Sequence, residues 1–153
     1  QVIDFIDKND SLGLDLGSGA GFPGIILGLA AKERKMDIKI SLVEKSKKKS
    51  NFLKKVIAKL NLKMKVINED LMKSELELKE DVFFARAFKP LPIIFELIHS
   101  KAKNWKKILI FQGKSGQHEL LQASKSWDIK YKQRMSVTSS DSKIIEINYL
   151  KKK

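Results

Sequence analysis

The stretch Leu12–Gly24, reading LGLDLGSGAGFPG, limits what this chain can fold into more than any other. A short apolar run reaches an acid at Asp15. Gly17, Gly19, Gly21 and Gly24 then follow within eight residues. Glycine occupies φ > 0 without a Cβ clash, so Gly17 and Gly19 permit a sharp turn whose backbone a ligand can approach. Pro23 suits the first turn of a helix, where its missing N–H breaks no bond. The stretch reads as strand, tight turn and helix N-terminus, an arrangement that offers unpaired N–H groups to a carboxylate or phosphate.

The rest of the chain continues that alternation. Apolar residues fill Gly24–Ala31 nearly all round, which predicts a helix buried against a sheet. Lys39–Glu44 and Lys63–Asn68 read as strands. Between them Phe52, Leu53, Val56, Ile57 and Leu60 recur at helical spacing behind Ser46, a good N-cap. Leu71–Lys79 reads as a short helix or loop, Asp81–Arg86 as a strand, Ile93–Lys103 as a helix and Lys107–Phe111 as a fifth strand. Gly116–Trp127 is helix-like. Ile129–Val137 and Lys143–Leu150 alternate as two late strands around a polar turn, with no helix between them. Gln1–Asn9 reads as the tail of a helix, and Phe88, Trp127 and Tyr149 as core. Strands alternating with helices predict an α/β, doubly wound, mostly parallel sheet of seven strands with an antiparallel C-terminal strand. One domain over residues 1–153 is expected.

Composition narrows the partners. The formal charge is +13 and the isoelectric point about 9.8, which concentrates polyanions around the chain and favours nucleic acid. A base-composition bias toward lysine would give the same number. The lysine runs Lys45–Lys55 and Lys101–Lys107 are the candidate RNA footprint, with Trp105 placed to stack on a base. Cysteine is absent, which excludes thiolate metal sites and disulfides and suits a cytoplasmic location. His99 and His118 have no paired-ligand spacing, so no metal is expected. No apolar run reaches the ~18 residues of a membrane span, so no membrane is expected, and a monomer is.

In doubly wound sheets ligands bind at the carboxyl ends of the strands, where strand order reverses. Four predicted strands end in suggestive residues: Asp15 with its glycines, Glu44, Asp70 and Arg86. Gly19–Gly24 satisfies the dinucleotide fingerprint, and Glu44 stands where a ribose-binding acid belongs, so a nicotinamide enzyme is one reading. Asp15-Leu-Gly17-Ser-Gly19-Ala-Gly21 equally fits the D-x-G-x-G-x-G pattern of class I S-adenosylmethionine-dependent methyltransferases, which it resembles. On that reading Asp15 helps hold the cationic amino-acid end of the cofactor, Asp70 accepts from the adenine amine, and the Leu71 N–H faces a ring nitrogen. A turn acid at Asp70 and an ordinary salt bridge at Arg86 are the plain alternatives.

A closer resemblance rests on DLGSGAGFPGI, LVEKSKKKSNFLKKV and ARAFKPL, which are similar to the bacterial 16S ribosomal RNA (guanine-N7) methyltransferase family, also called the glucose-inhibited division protein B family. The similarity runs from about Leu12 to the end, and Phe22-Pro23-Gly24 is its most specific part. It implies a class I, Rossmann-like fold preceded by a further N-terminal helical segment. The implied activity is methylation of guanine N7 in 16S ribosomal RNA or the small ribosomal subunit, with S-adenosyl-L-methionine as cofactor. Cofactor contacts are implied for Gly17, Phe22, Glu44, the Asp70–Leu71 pair and Arg86. Arg86 and a lysine near the fifth strand would steady the guanine. The family commonly reads Ala-Glu at Asp70–Leu71, so only a backbone contact transfers there. It reads Leu-Lys-Gly after the fifth strand, where this chain has Phe111-Gln112-Gly113-Lys114, which makes Lys114 the candidate for the displaced lysine. A methyltransferase on another RNA or a small molecule, and a non-catalytic RNA-binding module, are the remaining readings.

Overall fold

Strands that are apolar at consecutive positions have both faces covered, and the central strands of this chain are built that way. In a computed structural model describing residues 1–153, seven strands and four helices follow one another in the alternating order expected. They are β1 (Leu12–Leu16), α1 (Gly24–Glu33), β2 (Lys39–Val43), α2 (Lys47–Lys59), β3 (Lys65–Ile67), β4 (Val82–Arg86), α3 (Leu91–Lys101), β5 (Lys107–Gln112), α4 (Gly116–Ser124), β6 (Trp127–Met135) and β7 (Lys143–Lys152). One sheet contains them all in the order β3-β2-β1-β4-β5-β7-β6. The first five strands are parallel, whereas β7 runs antiparallel to β5 and β6.

The period-two alternation of strand side chains sends neighbours to opposite layers. Leu14, Leu16, Phe83, Ala85, Ile108 and Ile110 join the core against α3 and α4, with Trp127. Val82, Phe84 and Leu109 face the layer with α1 and the N-terminal segment, where Ile3, Phe5 and Ile6 are buried. Leu53 and Ile57 of α2 pack with Ile25 and Leu42 on that same side. Strand order reverses between β1 and β4, which sets the switch point there. Register then decides what meets at it: Leu16 stands opposite both Val43 and Ala85, and Arg86 opposite Phe111. Gly17, Glu44 and Arg86 therefore leave the sheet side by side.

The 71–79 connection, read as a short helix or loop, is a loop of turns: Asp70 closes a turn onto the Met72 N–H at 3.1 Å and only Leu71 and Leu78 are well buried. Two sequence expectations differ from the structure. The N-terminal segment holds one 3-10 turn, Val2–Phe5. Trp127 opens β6 and does not close a helix, although it is core as expected.

The Lys101–Lys107 run is consumed in holding the fold. Lys107 is buried at the start of β5, where its ammonium donates to the Phe5 carbonyl at 3.0 Å and pairs with Asp10 at 2.9 Å and with Asp7. Burial works against that charge, but the two carboxylates outweigh it and raise the Lys107 pKa. Lys106 pairs with Asp81, whose carboxylate also accepts the Ser11 and Leu12 N–H groups and so pins the start of β1. Lys101 donates to the Leu71 and Ser74 carbonyls, and Lys103 pairs with Glu77. The Asp10 side chain is 1% exposed. Asp10→Ala should therefore leave a buried ammonium with the exposed Asp7 as its one carboxylate partner, costing about 3 kcal/mol in urea unfolding. The double variant Asp10→Leu with Lys107→Met should recover part of that loss.

Candidate functional site

The level strand ends enclose a cavity of about 740 Å³, within the ~300–1,000 Å³ usual for cofactor sites. Gly17, Gly19, Phe22, Glu44, Asp70, Leu71 and Arg86, all singled out by sequence, line it together. They arrive from four different strand ends, so no single local motif encodes the cluster.

The glycine loop is shaped for a ligand. Gly17, Gly19 and Gly21 have φ of +67°, +57° and +98°, in the left-handed region that favours glycine. A Cβ on Gly19 would meet nothing nearer than the Gly17 carbonyl at 3.8 Å, so its open side faces the cavity. Phe22 stands 52% exposed on the cavity wall.

Glu44 is the anchored acid. Its two carboxylate oxygens accept the Gly19 N–H at 2.9 Å and the Ser46 N–H at 2.8 Å. Its carbonyl accepts from Ser50 and Asn68. The carboxylate is thereby fixed against the glycine loop with lone pairs left for hydroxyl donors. The Asp70 side chain is turned to the Met72 N–H, as the turn-acid alternative had it, while the Leu71 N–H has no partner within the protein. Arg86 is exposed and has no carboxylate within 4.0 Å, which excludes the salt-bridge alternative.

Two expected site residues are elsewhere. Asp15 lies on the α1 side of β1, 1% exposed, and its carboxylate accepts the Gly24 N–H at 3.0 Å. Strand alternation sends Leu14 and Leu16 one way and Asp15 the other, under the helix start, so it shapes the loop and does not line the cavity. Burial pushes the Asp15 carboxyl up to about 6, against the pull of Ser18 and the Gly24 N–H. Lys114 is a surface residue paired with Asp141 at 3.2 Å and lines neither large cavity. Phe111 stands level with Arg86, and one residue further on the buried amide of Gln112 packs under Gly116.

Lys45 and Lys49, from the lysine run read as an RNA footprint, also line the cavity, as do Phe88 and Lys89, which sequence pattern did not mark as site residues. Phe88 was expected in the core. It packs on the core but is only half-buried, and it borders a second cavity of about 880 Å³ beyond β4 and β5. Tyr149 is likewise only half-buried, under the Lys130 ammonium. Trp105 packs against the core at the opposite end of β5, so it cannot stack on a base at this site.

Comparison with known proteins agrees with this geometry. Residues 1–148 match the family described as GidB, rRNA small subunit methyltransferase G. The chain belongs to that family. Among its relatives, the rRNA small subunit methyltransferase G of Pelagibacter ubique is 40% identical over 153 residues, covering 100% of this chain and 71% of that protein. The one from Rickettsia felis is 33% identical over 152 residues, covering 99% and 75%. The same fold occurs in TrmK from M. capricolum, solved with S-adenosyl-homocysteine, at TM-score 0.68 and 19% identity over 97% of this chain and 66% of that one. A putative rRNA methylase from Clostridium thermocellum shares it at TM-score 0.64 and 12% identity, covering 97% and 93%. Methyltransferase G membership decides between the two cofactor readings of the glycine loop, in favour of S-adenosylmethionine. No helix is long and apolar enough to cross a membrane.

The Asp15 carboxyl holds its proton to about pH 6 when folded and to about 3.8 when unfolded. The folded state therefore binds more protons between those values, and stability should fall as pH rises from 4 to 6. Asp15→Asn keeps an acceptor for Gly24 and cannot ionise. It should flatten that limb in denaturant unfolding and gain up to about 3 kcal/mol at pH 7.5.

Proposed function

We propose that this chain transfers a methyl group from S-adenosylmethionine to N7 of a guanine in small-subunit ribosomal RNA. The observation carrying the reading is the convergence of the glycine loop, Glu44, the free Leu71 N–H and Arg86 on one cavity at the switch point, in a methyltransferase G chain. When bound, the cofactor supplies an electrophilic methyl group on a sulfonium.

The residues present fit that cofactor. Glu44, already held by two backbone N–H groups, accepts from the ribose hydroxyls without reorganising. The Leu71 N–H donates to the adenine ring, a contact that survives any side chain at that position. Gly17 and Gly19 let the backbone close on the amino-acid end, and Phe22 covers it. Guanine N7 carries an available lone pair, so the chain needs no general base. Its contribution is alignment, which can supply several kcal/mol of the barrier reduction. Arg86, free of any carboxylate, steadies the phosphate beside the target guanine and so holds the guanine in place.

Charge supports an RNA partner beside the cavity. Lys45, Lys47, Lys48, Lys49, Lys54 and Lys55 are exposed and none has a carboxylate within 4.0 Å, unlike the Lys101–Lys107 run. Phe52, 52% exposed, stands among them at helical spacing. This face adjoins the cavity through Lys45 and Lys49.

S-adenosylhomocysteine should raise the melting temperature and NAD should not; a shift with NAD alone defeats the proposal. Arg86→Ala should leave S-adenosylhomocysteine-bound stability intact while lowering methylation of unmodified small subunits by about 10–100-fold. Replacing Lys47, Lys48 and Lys55 by Glu should weaken subunit binding and flatten its salt dependence by about 0.7–0.9 per lost contact.

A further inference from the structure

We infer that the Phe88 ring is the stacking platform for the target base and stabilises the positive charge that methylation creates on it. This rests on the guanine-N7 reading above and adds a residue that the cofactor constellation does not contain.

Phe88 lies between the two cavities and lines both. On one side its ring presses on the glycine loop so closely that a Cβ on Gly17 would stand 2.3 Å from Phe88 Cδ2. The ring therefore touches the backbone that receives the cofactor. On the other side it borders the 880 Å³ cavity at the ends of β4 and β5. A base reaching the cofactor from that cavity passes this ring. The loop is bent to achieve this: Ala87, a non-glycine residue, has φ +48°, a conformation that L residues avoid and that tends to persist where function requires it. That turn leaves Arg86 exposed and Phe88 against Gly17.

The chemistry selects an aromatic ring. N7 uses its lone pair to bond the methyl carbon as the carbon–sulfur bond breaks. The bonding pair leaves with sulfur, no proton moves, and the unit positive charge passes from sulfur to the purine. A cation close to the base opposes that transfer, so Arg86 and Lys89 serve better on phosphates. An aromatic face attracts the purinium more strongly than the neutral purine and so favours the transition state over the ground state. Leucine would fill the same space against Gly17 without a π face.

Two measurements on the full chain test this. With unmodified small subunits, Phe88→Leu should lower kcat about tenfold while S-adenosylhomocysteine affinity and melting temperature hold, and Phe88→Tyr and Phe88→Trp should keep kcat. Titration of the S-adenosylhomocysteine complex with nucleotides should show 7-methylguanosine monophosphate binding more tightly than guanosine monophosphate, a preference that Phe88→Leu abolishes. Unchanged kcat in Phe88→Leu, loss of kcat in all three variants alike, or equal binding of the two nucleotides by the wild type overturns the inference. A wild type that prefers the methylated nucleotide yet leaves small subunits unmethylated supports the ring's role and overturns the substrate reading instead.

Discussion

Everything at this site depends on the register of β1 against its two parallel neighbours. Leu16 stands level with Val43 on one side and Ala85 on the other, so the chain leaves three strands at one height. A shift of one residue in either pairing would exchange the two faces of a strand. It would also carry Glu44 away from the Gly19 N–H or Arg86 away from the cavity. The register is held from both layers, because every residue from Val82 to Ala85 is buried and alternate members join different cores. The opposite end is fastened by Asp81, which accepts both Ser11 and Leu12 N–H groups. Burial energy and a few polar staples at one end of the sheet thus set the geometry of a site at the other.

The charge of the chain is divided by the same architecture. Lys101–Lys107 looks in sequence like a basic patch equal to Lys45–Lys55. In the fold it crosses the end of the sheet remote from the cavity, among Asp7, Asp10, Glu77 and Asp81, and its cations are spent internally. The α2 lysines project from the outer face of a helix whose inner face is held by Leu53 and Ile57, and no acid reaches them. A polyanion therefore meets free cations on the side where the cavity opens.

Phe88, Gly17 and Ala87 tie the two cavities into one unit. The glycine at position 17 is needed for its positive φ and because the ring occupies the space a side chain would take. A loop that reads as a cofactor motif is thus also a packing surface for the Phe88 ring. Asp15 shows the reverse: an acid that reads as a ligand contact is a buried support for the helix start.

Sequence alone determined the order of elements, the doubly wound sheet and the cofactor loop, because hydrophobic period, glycine spacing and strand-end acids are local properties. The family fragments followed from the same local patterns. Glu44 and Arg86 were legible because each stands at the end of an apolar strand, and Leu71 through the methyltransferase resemblance. Only tertiary structure decided which charges are free and which side of a strand an acid takes. It removed Asp15 and Lys114 from the cavity, turned Lys101–Lys107 into staples, and brought Phe88 out of the core to the wall between two cavities. Those outcomes depend on strand register and on partners distant in the chain, Asp10 for Lys107 and Gly17 for Phe88, which no local pattern records.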